Sequence, residues 1–391
     1  MGTAKLDLTP PVKTPLAGYS RRKGRLAAGM HDAPYVRALV LREGGTTAAL
    51  VSCDLLIIDE SLFEEVQRRL RADGSLPPMT LLVAATHTHS GPGAYGKKFF
   101  EKISMGHFDP RVWEFLAARI AAAVAEAYGH AVPATARVTT ASGAGLVTNR
   151  MIPEGVVDEA LRVLVFDGAQ GQPLAVVANF SAHPTTLGAW NREMSADYPG
   201  VLTQAVEARY PSSVCCFFAG SVGDQAPVKE GSGFARASWV GSRLAGRLLE
   251  SLEHPTTIST ERLAASQRTM RLDPARLRLG GVTLPTWLSR PFVDDDATLT
   301  VIAAGGALFL GVPCDLSAEL GLELQRYAAS KGYAPFVVGF ADDYIGYCVP
   351  ERLYRARGYE TSMAFNGPRT GEQVVDALKQ MIDKLPNASG G

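Results

Sequence analysis

Two of the chain's seven histidines stand one residue apart, in Leu81-Leu-Val-Ala-Ala-Thr-His87-Thr-His89-Ser90-Gly-Pro-Gly93. Imidazole is the commonest metal ligand and a general acid or base near neutral pH. The apolar run before the pair reads as a buried strand and Gly91-Pro92-Gly93 as the loop that breaks it. Two titratable rings are thereby delivered beyond the carboxyl end of a strand, where ligands of open α/β sheets collect.

Other apolar runs end in the same way. Val176-Val-Ala-Asn179-Phe-Ser181-Ala leads into His183, and Cys216-Phe-Phe-Ala-Gly220-Ser221-Val-Gly223 into Asp224. Leu310-Gly-Val-Pro-Cys leads into Asp315, and Gly339-Phe-Ala into Asp342, Asp343, Tyr344 and Tyr347. Catalytic zinc takes three or four ligands drawn from His, Cys, Asp and Glu, with a position left for water or substrate. His87, His183 and Asp315 supply a His-His-carboxylate set of that kind. Singly, each has a plainer reading. His183 reads as a loop histidine bonded to backbone, and Asp315 as the cap of a helix beginning at Ser317. Asp224 and Asp342 suit turns, and Tyr344 and Tyr347 suit a core. Their recurrence at several strand ends of one chain is what favours a site. Ser221, in Ala219-Gly220-Ser221-Val222-Gly223, is one residue short of the G-x-S-x-G nucleophile elbow. Only His254 follows it as a base, so a serine hydrolase is poorly served by the chain order.

The elements that must hold these residues alternate between strand and helix. Strands are predicted at both arms of the Glu43-Gly-Gly hairpin within 37–54, at 81–85, 136–140, 161–166, 174–180, 214–218, 307–311 and 336–340. Helices are predicted at 61–73, 111–128 (opened by Asp109-Pro110), 197–209, 235–252, 317–331 and 371–385. Residues 256–290 read as irregular, with a strand near 262–272. This pattern predicts an α/β fold, a mixed β-sheet sandwich with helices packed on the sheets. A single large catalytic domain over 1–386 and a flexible tail over 387–391 are expected.

Composition sets the outer limits. Lys plus Arg balances Asp plus Glu at 39 each, so no basic field points to nucleic acid or an anionic membrane. Five cysteines without C-x-x-C spacing read as buried thiols. No apolar run suits a membrane span. The N-terminus lacks the apolar region of a signal peptide, which predicts a cytoplasmic protein, or a secreted or periplasmic one had a signal been removed.

Thr86-His-Thr-His-Ser-Gly-Pro-Gly-Ala-Tyr95 resembles the signature of the neutral/alkaline ceramidase family, zinc-dependent hydrolases of the N-acylsphingosine amide. Asp7-Leu-Thr-Pro with Gly18-Tyr19, Val51-Ser-Cys-Asp54, Asn179-Phe-Ser-Ala-His183-Pro and Asp343-Tyr-Ile-Gly-Tyr347 are similar to further family segments in the same order. The resemblance implies Zn2+ held by His87, His183, Asp315 (a glutamate in the family) and Tyr347. It implies that His89 and Arg150 contact the substrate amide and its oxyanion, with Tyr344 nearby. Asp224 falls in the family's active-site loop, where Gly-Asp-Val-Ser-Pro is here Gly223-Asp-Gln-Ala-Pro227. The expected reaction is hydrolysis of an N-acyl amide, of ceramide or another amide, by a zinc-activated water. Related substrates (a peptide, lactam, lactone or acetylated sugar) and a non-catalytic metal-binding relative are the alternatives. The ceramidases continue into a C-terminal domain beyond the point matching residue 391.

Overall fold

Tyr35–Glu43 and Thr46–Cys53 are nearly continuous apolar runs because both of their faces are buried. Alternate side chains face a sheet-on-sheet core and a helical layer. Gly44 and Gly45 join the two strands with φ of 56° and 82°, the left-handed pair that a tight hairpin requires. The computed structural model describes residues 1–279, 282–289 and 292–385.

Three sheets carry the fold. The first contains β1 (Gly2–Asp7), β2 (Tyr35–Glu43), β3 (Thr46–Cys53) and β4 (Thr80–Ala85), in that order, with β3 and β4 parallel. The second contains β5 (Thr135–Ser142), β6 (Ala160–Asp167), β7 (Pro173–Phe180), β8 (Val214–Ala219) and β9 (Thr256–Ile258), in the order β8-β7-β6-β5-β9. The third contains β10 (Leu263–Arg271), β11 (Asp296–Ala304), β12 (Ala307–Gly311) and β13 (Ala334–Val338), in that order. Their inward faces meet in one core through Leu39, Leu50, Leu82, Leu164, Phe218 and Phe309.

Helices cover the outer faces. α1 (Glu60–Ala72) starts where Asp59 accepts the Leu62 N–H. α2 is Phe99–Met105, and α3 (Pro110–Gly129) has Asp109 as N-cap with proline at its first position. α1 and α3 pack on the first sheet, and α4 (Asp197–Arg209) and α5 (Gly233–Ser251) on the second. α6 (Ala318–Ser330) and α7 (Thr370–Ile382) cover the third. The architecture is the expected mixed α/β sandwich with helices outside. Among the described residues no helix is long and apolar enough to cross a membrane. All five cysteines are buried free thiols.

Four elements depart from the sequence reading, which assigns neither the strands β1, β9 and β11 nor the helix α2. β11 lies inside the third sheet, in a stretch between 290 and 307 to which the sequence reading assigns no element. α2 has seven residues and no Ser, Thr, Asp or Asn cap; Glu101 Oε2 instead accepts the Lys98 N–H at 2.7 Å. The expected tail at 387–391 lies outside the described residues.

β3 and β4, β7 and β8, and β12 and β13 are parallel pairs. The polar residues noted above leave the carboxyl ends of β4, β7, β8, β12 and β13. Ala85 N–H donates to Phe340 O at 3.2 Å, lacing the end of β4 to the segment after β13.

Candidate active site

His87 leaves β4 in a left-handed backbone conformation with φ 64°, which costs a non-glycine residue about 1–3 kcal/mol unless its surroundings enforce it. The Phe340 ring enforces it by stacking on the imidazole at 3.7 Å between centroids and 3° between planes. On the ring's inner edge, Nδ1 lies 2.6 Å from Leu56 O. A carbonyl can only accept, so Nδ1 carries the proton and Nε2 presents a lone pair. His183, three residues past β7, repeats the device with Nδ1 3.1 Å from Val222 O. Burial holds His87 neutral, with its pKa lowered to about 3, and holds His183 and His89 well below the usual histidine range.

The two Nε2 atoms are 2.9 Å apart, and His89 Nε2 is 3.1 Å from His87 Nε2. Asp315 Oδ1 lies 3.8 Å from His87 Nε2 and 3.7 Å from His183 Nε2, fully buried and without a hydrogen-bond partner. Its other oxygen accepts the Tyr344 hydroxyl at 2.8 Å. Burial pushes the Asp315 carboxyl up to about 7 against the opposing pull of the Tyr344 hydrogen bond and the Arg150 charge. Asp315–Leu316 pairs in parallel with Tyr347–Cys348, which sets Asp315 opposite Tyr347.

Two converging imidazole lone pairs and an orphaned carboxylate oxygen fit a cation. Zinc ligands sit about 2.1 Å from the ion, hence about 3.4 Å from each other at a tetrahedral angle. The observed separations of 2.9–3.8 Å bracket that value. His87, His183 and His89 form a group able to hold a metal, so His89 sits with the other two imidazoles.

Arg150 closes one side. Its Nη2 donates to Gly223 O and to the Tyr347 hydroxyl, both at 2.9 Å, and its Nε lies 2.9 Å from Glu360 Oε1. Asn149, the residue before it, donates to Asp224 Oδ2 at 3.0 Å. The structure turns Asp224 away from the cavity. Its Oδ1 accepts the Ala318 N–H and the Gln225 amide, both at 2.8 Å, so it caps α6 and anchors the Asn149–Arg150 segment. The cap expected of Asp315 is thus supplied by Asp224. Asp342 accepts the Val83 N–H and the Thr300 hydroxyl, closing the β4 edge. Ser221 is wholly buried, and a Cβ on Gly321 of α6 would stand 1.8 Å from its Oγ, so it is no exposed nucleophile.

Above this floor opens a cavity of about 730 Å³. His87, His89, His183, Arg150, Tyr344 and Tyr347 line its base, and Ile103, Phe100, Phe292, Phe365 and Met363 its wall. Gly18 has φ +107°, and a Cβ there would fall 2.6 Å from the His89 ring, so only glycine lets that ring approach. Arg22 is not singled out in the sequence. In the structure it is buried and donates to the carbonyls of Ala17 (2.7 Å), His89 (2.6 Å), Gly188 and Asn191 (3.0 Å each). One guanidinium thereby ties together three loops bordering the cavity.

Comparison with known proteins agrees with this architecture. Residues 1–237 match the family model for neutral/alkaline non-lysosomal ceramidase, N-terminal. The neutral ceramidase of Pseudomonas aeruginosa is 27% identical over 256 residues, covering 59% of this chain and 38% of that protein. That of Drosophila pseudoobscura is 25% identical over 252 residues, covering 58% of this chain and 36% of that protein. The matches therefore span well under half of these relatives' own lengths. The crystal structure of the Pseudomonas aeruginosa neutral ceramidase superposes with a TM-score of 0.86 at 21% identity, covering 98% of this chain and 74% of that one. A ceramidase complexed with C2 gives a TM-score of 0.86 at 19% identity over the whole of this chain and 76% of that one. The structural likeness establishes a shared fold; with the family model matching more than half of its residues, the chain belongs to the neutral/alkaline non-lysosomal ceramidase family.

Proposed function

We propose that this chain hydrolyses the amide bond of an N-acyl lipid of the ceramide class, with zinc held by His87, His183, Asp315 and Tyr347. The observation that carries the reading is the pair of imidazole lone pairs 2.9 Å apart beside an unpaired, buried carboxylate oxygen. It lies at the floor of a cavity with an apolar wall, and the matching relatives are neutral ceramidases. Zinc bound there supplies a Lewis acid for the scissile carbonyl and lowers the pKa of water toward neutrality.

The chain's own groups do the remaining work. Arg150, fixed through Gly223 O, Tyr347 and Glu360, offers a pre-oriented cation to the carbonyl oxygen as it gains charge. His89 is neutral, with Nε2 3.1 Å from His87 Nε2 and Nδ1 unpartnered, so the ring can take a proton and pass it to the departing nitrogen. That transfer matters because an amine leaves poorly unless protonated. Tyr344 holds Asp315 in orientation by donating to Oδ2. Water adds across the C–N bond, hydroxyl to the acyl carbon and hydrogen to nitrogen, giving a carboxylic acid and an amine.

The test is product analysis by mass spectrometry on a panel of N-acylsphingosines, shorter N-acyl amides, matched esters, a lactone and an acetylated sugar. Release of acid and amine from long-chain N-acyl amides, abolished by a chelator and restored by zinc, is expected. Turnover confined to the lactone or sugar would replace the substrate class. Bound metal with no turnover of any member would contradict a hydrolase.

A further inference from the structure

Exposed large apolar side chains ordinarily scatter singly over a protein surface. Here several gather around one opening. Ile103 and Tyr359 line the cavity and yet are 43% and 62% exposed. Phe99, 54% exposed, packs edge-on against Phe292 of the cavity wall, with ring centroids 5.4 Å apart. Trp190, 83% exposed, carries the Arg21 guanidinium 5.5 Å from its ring centroid, and Arg21 and Ala189 both line the cavity. Three separate stretches of chain, α2, the 185–191 loop and the short helix Tyr359–Ser362, thus turn bulky side chains to solvent at the mouth.

Cations outnumber anions around the mouth. Lys97, Lys102, Arg355 and Arg357 are exposed and lie within four residues of Phe99, Ile103 or Tyr359, while the exposed Arg21 stands against Trp190 in space with Lys23 two residues on. Of the acidic residues nearby, Glu101 and Glu360 are buried, Asp294 lines the cavity paired with Lys98, and Glu193 is exposed. The chain as a whole carries no net charge, so the excess of cations belongs to this rim.

We infer that the rim seats the mouth of the cavity on an anionic phospholipid surface. Phe99, Trp190 and Tyr359 enter the boundary between headgroups and acyl chains, where aromatic rings reside. The surrounding lysines and arginines meet the negative surface potential of the lipid. Apolar anchors and basic charge act jointly in this mode of binding. A lipid layer suits the arrangement better than a protein because the anchors encircle an opening that has to stay clear. A protein seated on them closes the cavity, whereas a lipid layer feeds it. The inference goes beyond the hydrolytic reading, and lipid binding is measured without turnover, so the two fail separately.

The test is cosedimentation of the full chain with vesicles of phosphatidylcholine alone and of phosphatidylcholine mixed with phosphatidylserine. The wild type binds the mixed vesicles more strongly, and added salt weakens that binding. The Phe99→Ser/Trp190→Ser double variant loses it by at least about tenfold at an unchanged melting temperature. Val132→Ser serves as the control. Val132 is 47% exposed beside Met1 and Thr46, at the opposite end of the strands from His87, and its replacement leaves binding intact. Three results overturn the inference: no sedimentation of the wild type with mixed vesicles, equal binding by the double variant, or equal loss in Val132→Ser. A concentration-dependent dimer dispersed by Phe99→Ser would also overturn it, by assigning the rim to a second copy of the chain.

Discussion

At the scale of single residues, the proposed centre depends on what holds each candidate ligand as well as on the candidates themselves. His87 has its proton fixed by Leu56 O and its ring fixed by Phe340, and His183 has Val222 O. Asp315 has the Tyr344 hydroxyl. Removing a hydrogen bond that orients a metal ligand lowers metal affinity or activity about 10- to 100-fold. Tyr344→Phe is therefore expected to raise the zinc dissociation constant within that range, read by competition with a chromophoric chelator. Unchanged affinity would assign the tyrosine to substrate contact alone. The His87–His89 pair was legible in the sequence because its spacing after a strand is unusual. His183 and Asp315 were legible as ligand candidates at strand ends, and Tyr347 through the family resemblance, whereas the strand pairing that makes them converge was not legible. Arg22 was not legible at all, because a guanidinium that binds four backbone carbonyls leaves no partner residue to notice.

At the scale of elements, parallel strand pairs bring the polar residues to one end, and the loops after them are tied to helices. Asp224 is the clearest case, bridging the first turn of α6 and the Asn149–Arg150 segment. Replacing it by alanine leaves the buried Ala318 N–H unsatisfied and takes one of two acceptors from the Gln225 and Asn149 amides, which keep Val156 O, at a cost of about 2 kcal/mol. Asp224→Ala is expected to lower stability by that amount in urea denaturation, and Asp224→Asn, which keeps acceptors, by clearly less. If the carboxylate acted directly in chemistry, Asp224→Asn would abolish turnover with stability intact. The helices and most strands were readable from apolar periodicity and caps. β1, β9, β11 and α2 were not assigned, and α2 has a start that no capping residue announces.

At the scale of the whole molecule, three sheets sharing one core bury several carboxylates, and this makes folding depend on pH. Burial pushes Asp342 up to about 7, opposed by its hydrogen bonds from Thr300 and Val83. An unfolded aspartate titrates near 3.9, so the folded state holds this proton more tightly. The resulting stabilisation is complete below about pH 4, declines as pH rises, and is lost above about 7. Asp342→Asn preserves an acceptor for Val83 and removes the titration. Across that window the melting temperature of the wild type is expected to fall relative to the variant; a constant difference would place the pH sensitivity elsewhere.

The central claim, a metal centre built on His87 and His183, is tested most directly by the zinc content of the purified chain and of its His87→Ala and His183→Ala variants. The measurement is elemental analysis after dialysis, with circular dichroism as the check on folding. The account predicts about one zinc per wild-type chain and little in either folded variant. Full zinc occupancy in both variants would contradict it.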